Sequence, residues 1–140
     1  MLALLLNVAK LCLVPLFIWG GFIVYGLSLK YLEVALPASE IELLVLVARM
    51  AQGFLAAVVI AILFCYPLAY VYRRFAITVA AVMALPGFVM HVPDIVDSSR
   101  TLYAMLGSGY QLGAYAILLI LGARVARSQL ERNGWIKWDS

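Results

Sequence analysis

The sequence predicts an all-α fold: a polytopic membrane protein built as an antiparallel bundle of four transmembrane helices, with both termini cytoplasmic. Three observations predict it. The 140 residues are 66% hydrophobic and only 12% charged, with a mean hydropathy of +1.06, whereas a soluble domain carries about 25% charged residues. The apolar residues run in long stretches, not at period 2 or 3.6, and a helix crossing a bilayer needs about 20 of them. Lys and Arg gather at the ends of those stretches, where they orient a membrane bundle. The alternation of a β-barrel strand is absent. Neither a linker nor an internal repeat divides the chain, so residues 1–140 read as one integral membrane domain.

The first helix is expected over about residues 11–29, between Lys10 and Lys30, with apolar reach back toward Leu2. No basic segment precedes that run, so it reads as a retained span and not a cleaved signal. Pro15 lies in its early turns, where a missing N–H costs little. Gly20, Gly21 and Gly26 thin one side for a neighbouring helix. A short connection follows, with Ser39 and Glu42 in capping-box spacing.

The second helix is expected over residues 41–72. Its length of about 48 Å exceeds a hydrocarbon core of about 30 Å, so residues 53–72 form the membrane part and residues 41–52 sit at the headgroups, project beyond them, or enter the core only through tilt. Pro67 is expected to bend it, and Arg73-Arg74 makes a tight connection. The third helix is expected over about residues 75–92, with Ala76, Ala80 and Ala84 as a packing ridge, Pro86-Gly87 as a kink and a polar loop from Pro93 to Thr101. The fourth is expected over about residues 102–123, with Gly109 and Gly113 in GxxxG spacing. A cytoplasmic amphipathic tail over 124–140 follows; the helix continues toward Arg132, and Asn133-Gly134 is its stop signal. Trp135 and Trp138 suit an interface.

Charge sorts by side in this arrangement. Lys10, Arg73, Arg74, Arg124, Arg127, Arg132 and Lys137 share one side; Lys30 and Arg100 take the other, with Arg49 near it. The excess of Lys and Arg marks the cytoplasmic side. The net charge of +3 and pI near 9.0 therefore reflect topology, and nucleic acid is not an expected partner.

Six residues stand out as candidate binding groups. Arg49 and Gln52 lie toward the outer end of the second helix, where an ionisable group is a functional hypothesis by default. Snorkelling, or pairing with Glu42, is the preferred structural account, because Arg49 is close to a boundary. His91, Asp94 and Asp97 lie at the outer end of the third helix and in its loop. His91 is the only histidine, too few nitrogen or sulfur ligands for zinc, and Asp94 and Asp97 are ordinary turn residues, so no metal and no cofactor is expected. Gln111 lies near the middle of the fourth helix, where a buried amide must find a partner; helix–helix packing is the preferred account and a solute path the lesser one.

No catalytic motif accompanies these residues. The leading reading is a plasma-membrane binding or accessory subunit. It docks a membrane partner through its helix faces or outer loops, with lipid as the surrounding solvent, in a membrane of bacterial inner-membrane type. A homo-oligomeric transporter or channel for a small solute or ion is the alternative. An enzyme acting on lipid headgroups, through Arg49 with Asp94 or Asp97, is the third.

Overall fold

The computed structural model describes residues 2–35, 42–96 and 102–135. Among them the protein is all-α: α1 (Leu2–Ala35), α2 (Glu42–Tyr72), a 3-10 turn (Arg73–Phe75), α3 (Ala76–Val96) and α4 (Leu102–Arg132). Three stretches are long and apolar enough to cross a membrane: Val8–Leu32, Leu43–Pro93 and Leu102–Arg132. The middle one, at 51 residues, would be about 76 Å long if straight. It is not straight. Arg73 adopts φ 47°, a left-handed conformation that costs an L-residue roughly 1–2 kcal/mol, and there α2 gives way to the 3-10 turn and α3 returns along it.

Side-chain contacts fix the directions. Tyr72 Oη donates to the Lys10 carbonyl at 2.8 Å, while Gln52, earlier in α2, donates to Leu32, later in α1, at 3.4 Å. α1 and α2 are therefore antiparallel. Against α4, Gly53 of α2 meets Gln111 and Cys65 meets Gly122, so α2 and α4 run the same way. α3 opposes α4, with Gly87 beside Leu112 and Arg127 Nη1 donating to the Arg74 carbonyl at 3.3 Å. One end of the bundle gathers Lys10, Tyr72, Arg74 and Arg127; the other gathers Leu32, Arg49, Gln52 and His91.

The core sits where α2, α3 and α4 meet, and much of it is alanine. Ala56, Ala57, Ala69, Ala76, Ala80 and Ala123 are all wholly buried. Without a hydrophobic force between helices in lipid, small residues hold a bundle together by close approach, and the ridge Ala76, Ala80, Ala84 does so here. α1 is peripheral: 11% of its apolar span is buried, against 33% and 28% for the other two stretches.

The helices differ from expectation in three places. α1 starts at Leu2, where its apolar reach is expected to begin, but runs on to Ala35, past the expected end at Leu29. α3 continues through Pro93 to Val96 and does not stop at Val92; Pro93 removes one hydrogen bond, to Val89, and the helix ends within a turn. The GxxxG pair of α4 is not its packing face in the bundle. A Cβ on Gly109 or Gly113 would meet nothing within 4 Å, while one on Gly122 would lie 2.6 Å from Cys65 Sγ. At its C-terminus α4 ends in a Schellman motif. Gly134 has φ 72°, and N–H groups of Gly134 and Trp135 donate to the carbonyls of Glu131 (3.1 Å) and Leu130 (3.0 Å).

Candidate functional site

The polar side chains of the chain's interior collect toward the Arg49 end, and each of the four helices supplies part of the cluster. α2 turns Gln52 inward, 9% exposed, and its amide ties α2 to α1. Arg49, one turn earlier, has an exposed side chain whose Cδ passes 3.6 Å from a Cβ built on Gly107 of α4. Its contribution to the cluster is its main chain. The Arg49 carbonyl accepts Gln111 Nε2 at 3.1 Å. Gly53 makes this possible, because a Cβ there would lie 2.4 Å from Gln111 Cγ.

Gln111 is bonded on its other side through its own carbonyl, which accepts Tyr25 Oη at 3.5 Å. Tyr25 is 3% exposed. Its ring lies 4.5 Å from that of Tyr115 and meets His91 edge-on at 6.3 Å. His91 thus faces the bundle interior from α3. Asp94 belongs to the next turn of α3, but its side chain, like the whole of Asp97, lies outside the described residues; so does the side chain of Glu42, the expected partner of Arg49.

Tyr115 closes the cluster. Its hydroxyl donates to the Met83 carbonyl at 3.2 Å, one residue beyond Val82, whose carbonyl has no helical donor because Pro86 lacks an N–H. Gly87 leaves room for the ring: a Cβ on Gly87 would sit 3.1 Å from Tyr115 Cδ1. The expected weak point at Pro86-Gly87 is therefore the socket in which Tyr115 is seated.

The structure brings Gln52, His91 and Gln111 together with Tyr25 and Tyr115, and uses Arg49 through its backbone. In the cluster, phenols and amides donate to main-chain carbonyls of neighbouring helices, which joins α1 to α2, α2 to α4, α1 to α4 and α4 to α3. Among the described residues no buried side-chain nitrogen or oxygen lacks a partner, and no group of three His, Cys, Asp or Glu side chains stands close enough to hold a metal ion. Tyr25 and Tyr115 were not singled out from the sequence. For Tyr115 the signal is position: a tyrosine far inside an apolar span cannot reach the aqueous boundary, so its hydroxyl must bond to another helix.

On the outside, Ile18, Trp19 and Phe22 of α1 face Val82, Pro86 and Val89 of α3 across an open groove of about 440 Å³. Trp19 is 65% exposed there and meets Phe22 edge-on at 6.3 Å. Compared with known proteins, the chain matches no family model, no curated protein and no solved structure.

Proposed function

We propose that this is a multi-pass plasma-membrane protein, crossing four times with both termini in the cytoplasm, that acts as a binding or accessory subunit. The topology rests on charge. Lys10, Arg73, Arg74, Arg124, Arg127 and Arg132 belong to one end, and cytoplasmic ends carry the excess of Lys and Arg. Reporter fusions after Arg74 and after Asp97 test it. Activity of a cytoplasmic reporter is expected at the first site only, and its appearance at the second overturns the orientation.

One observation carries the docking role: the interior polar groups hydrogen-bond one helix to another, while large apolar side chains, those of α1 above all, turn outward. The cluster of Tyr25, Gln52, His91, Gln111 and Tyr115 is accounted for by bundle cohesion, since interhelical polar contacts serve as glue in lipid. What remains for function is the surface. Copurification in mild detergent tests this. A partner chain at fixed stoichiometry, a different polypeptide or a second copy, is expected, and recovery of a single copy with lipid alone removes the docking role.

A further inference from the structure

We infer that the groove between α1 and α3 is a self-association surface, in which two copies of this chain pair around a two-fold axis normal to the membrane. The inference rests on the reading of the chain as a docking protein of the membrane, and names both the face and the partner.

The argument starts from Trp19. It lies nine positions beyond Lys10, about 13 Å along the helix, which puts it deep in the span and far from the interface where tryptophans collect. Its indole carries an N–H donor, and the side chain is 65% exposed. Acyl chains offer no acceptor at that depth. The opposite wall of the same groove holds the complementary group. Val82 lines it beside Pro86, and the Val82 carbonyl is the one that Pro86 deprives of its helical donor. Trp19 and Val82 therefore line one apolar groove, and the pairings of Gly21 with Met83 and of Lys10 with Tyr72 set them at about one depth.

That pairing fits a second copy better than a lipid or an unrelated helix. In a two-fold interface, a residue that meets another is met by its symmetry equivalent in return. Copies inserted in the same orientation share a membrane-normal axis, so equal depth of donor and acceptor is what symmetry requires. Trp19 of each copy can then donate to the Val82 carbonyl of the other. From the α1 wall the pattern extends along the helix in both directions: Cys12, Pro15, Trp19, Phe22 and Gly26 alternate at spacings of three and four, the repeat of a two-helix seam. Gly26, with nothing within 4 Å of a built Cβ, leaves room for a helix to approach.

Native mass measurement in mild detergent, with Trp19→Phe as the variant, tests the inference. The substitution removes the N–H, keeps an aromatic ring and touches no buried contact of the bundle. Wild type is expected as a dimer. Loss of two symmetric hydrogen bonds should weaken Trp19→Phe self-association about eightfold, and a mixed dimer, losing one, about threefold. Oxidation in native membranes supplies an independent reading: exposed Cys12 should give a disulfide-linked dimer with a membrane-permeant oxidant. A monomeric wild type, or a dimer indifferent to Trp19→Phe, overturns the inference. A single copy bound to a foreign polypeptide overturns it while leaving the docking reading intact. Two copies with no other protein support it and remove the foreign partner from that reading.

Discussion

Replacing Gly53 by valine is expected to cost about 3 kcal/mol of stability and to pull α2 away from α4, because over-packing a close contact typically costs about 1–3 kcal/mol and an interhelical hydrogen bond goes with it. Even the first added carbon would lie 2.4 Å from Gln111 Cγ and 3.2 Å from its Cα. The side chain of Gln111 can swing aside, but its backbone cannot, so the helices must separate. As they do, Gln111 Nε2 loses the Arg49 carbonyl, which removes a further ~0.6–1.7 kcal/mol. Equilibrium unfolding in mild detergent measures the sum. Gly109→Val and Gly113→Val serve as controls, since a Cβ at either position meets nothing within 4 Å. If all three variants unfold alike, Gly53 has no special place in the bundle and the α2–α4 contact described here is wrong. Trimming Gln111 to alanine in a Gly53→Ala background should recover part of the loss, because the closest clashing atom is then gone.

The contrast between Gly53 and the GxxxG pair shows what could be read from the chain and what could not. Long apolar stretches announce membrane helices because length and hydropathy are local properties. Arg73-Arg74 announces a reversal because two cations end an apolar run. The helical phase of α4 is another matter. In a soluble bundle the apolar stripe shows which face is buried, but here lipid and protein interior are equally apolar, so no stripe distinguishes them. Gly109 and Gly113 satisfy a spacing rule without facing a neighbour inside the bundle. Gly53 and Gly122 face neighbours at 2.4 and 2.6 Å, and they match no spacing rule with one another. A small residue shows where a helix can approach; only the partner's position shows where one does.

The polar residues divide along similar lines. Gln52 and Gln111 were conspicuous because a carboxamide inside an apolar run must be bonded, and both donate to carbonyls of other helices. Arg49 is conspicuous for its charge, yet its bond to Gln111 in the cluster is made by its carbonyl, a group every residue has. Tyr25 and Tyr115 passed as members of apolar runs, because the ring hides the hydroxyl. The place of Tyr115 depends on Gly87, which leaves a space on α3, and that relation joins residues far apart in the chain.

Tyr115→Ala should be the most damaging single substitution in the polar cluster, at about 3–5 kcal/mol, the range for deleting a buried aromatic ring. Tyr115 is 2% exposed and sits against two other helices: its ring is 4.5 Å from that of Tyr25 on α1, and its edge fills the gap left by Gly87 on α3. The hydroxyl accounts for only part of the effect. Tyr115→Phe keeps the ring and loses the bond to Met83, so its expected cost is about 0.6–1.7 kcal/mol. Thermal unfolding of the two variants separates ring from hydroxyl. The pair with Tyr25 provides a sharper reading, because contacting aromatic rings carry a coupling of about 0.5–1.5 kcal/mol beyond their area. A cycle of Tyr25→Ala, Tyr115→Ala and the double variant should return a coupling of that size. Strict additivity would mean that the rings do not meet in the membrane, and that the middle of α1 is held by its other contacts, such as Tyr25 Oη with the Gln111 carbonyl and Phe17 with Phe64.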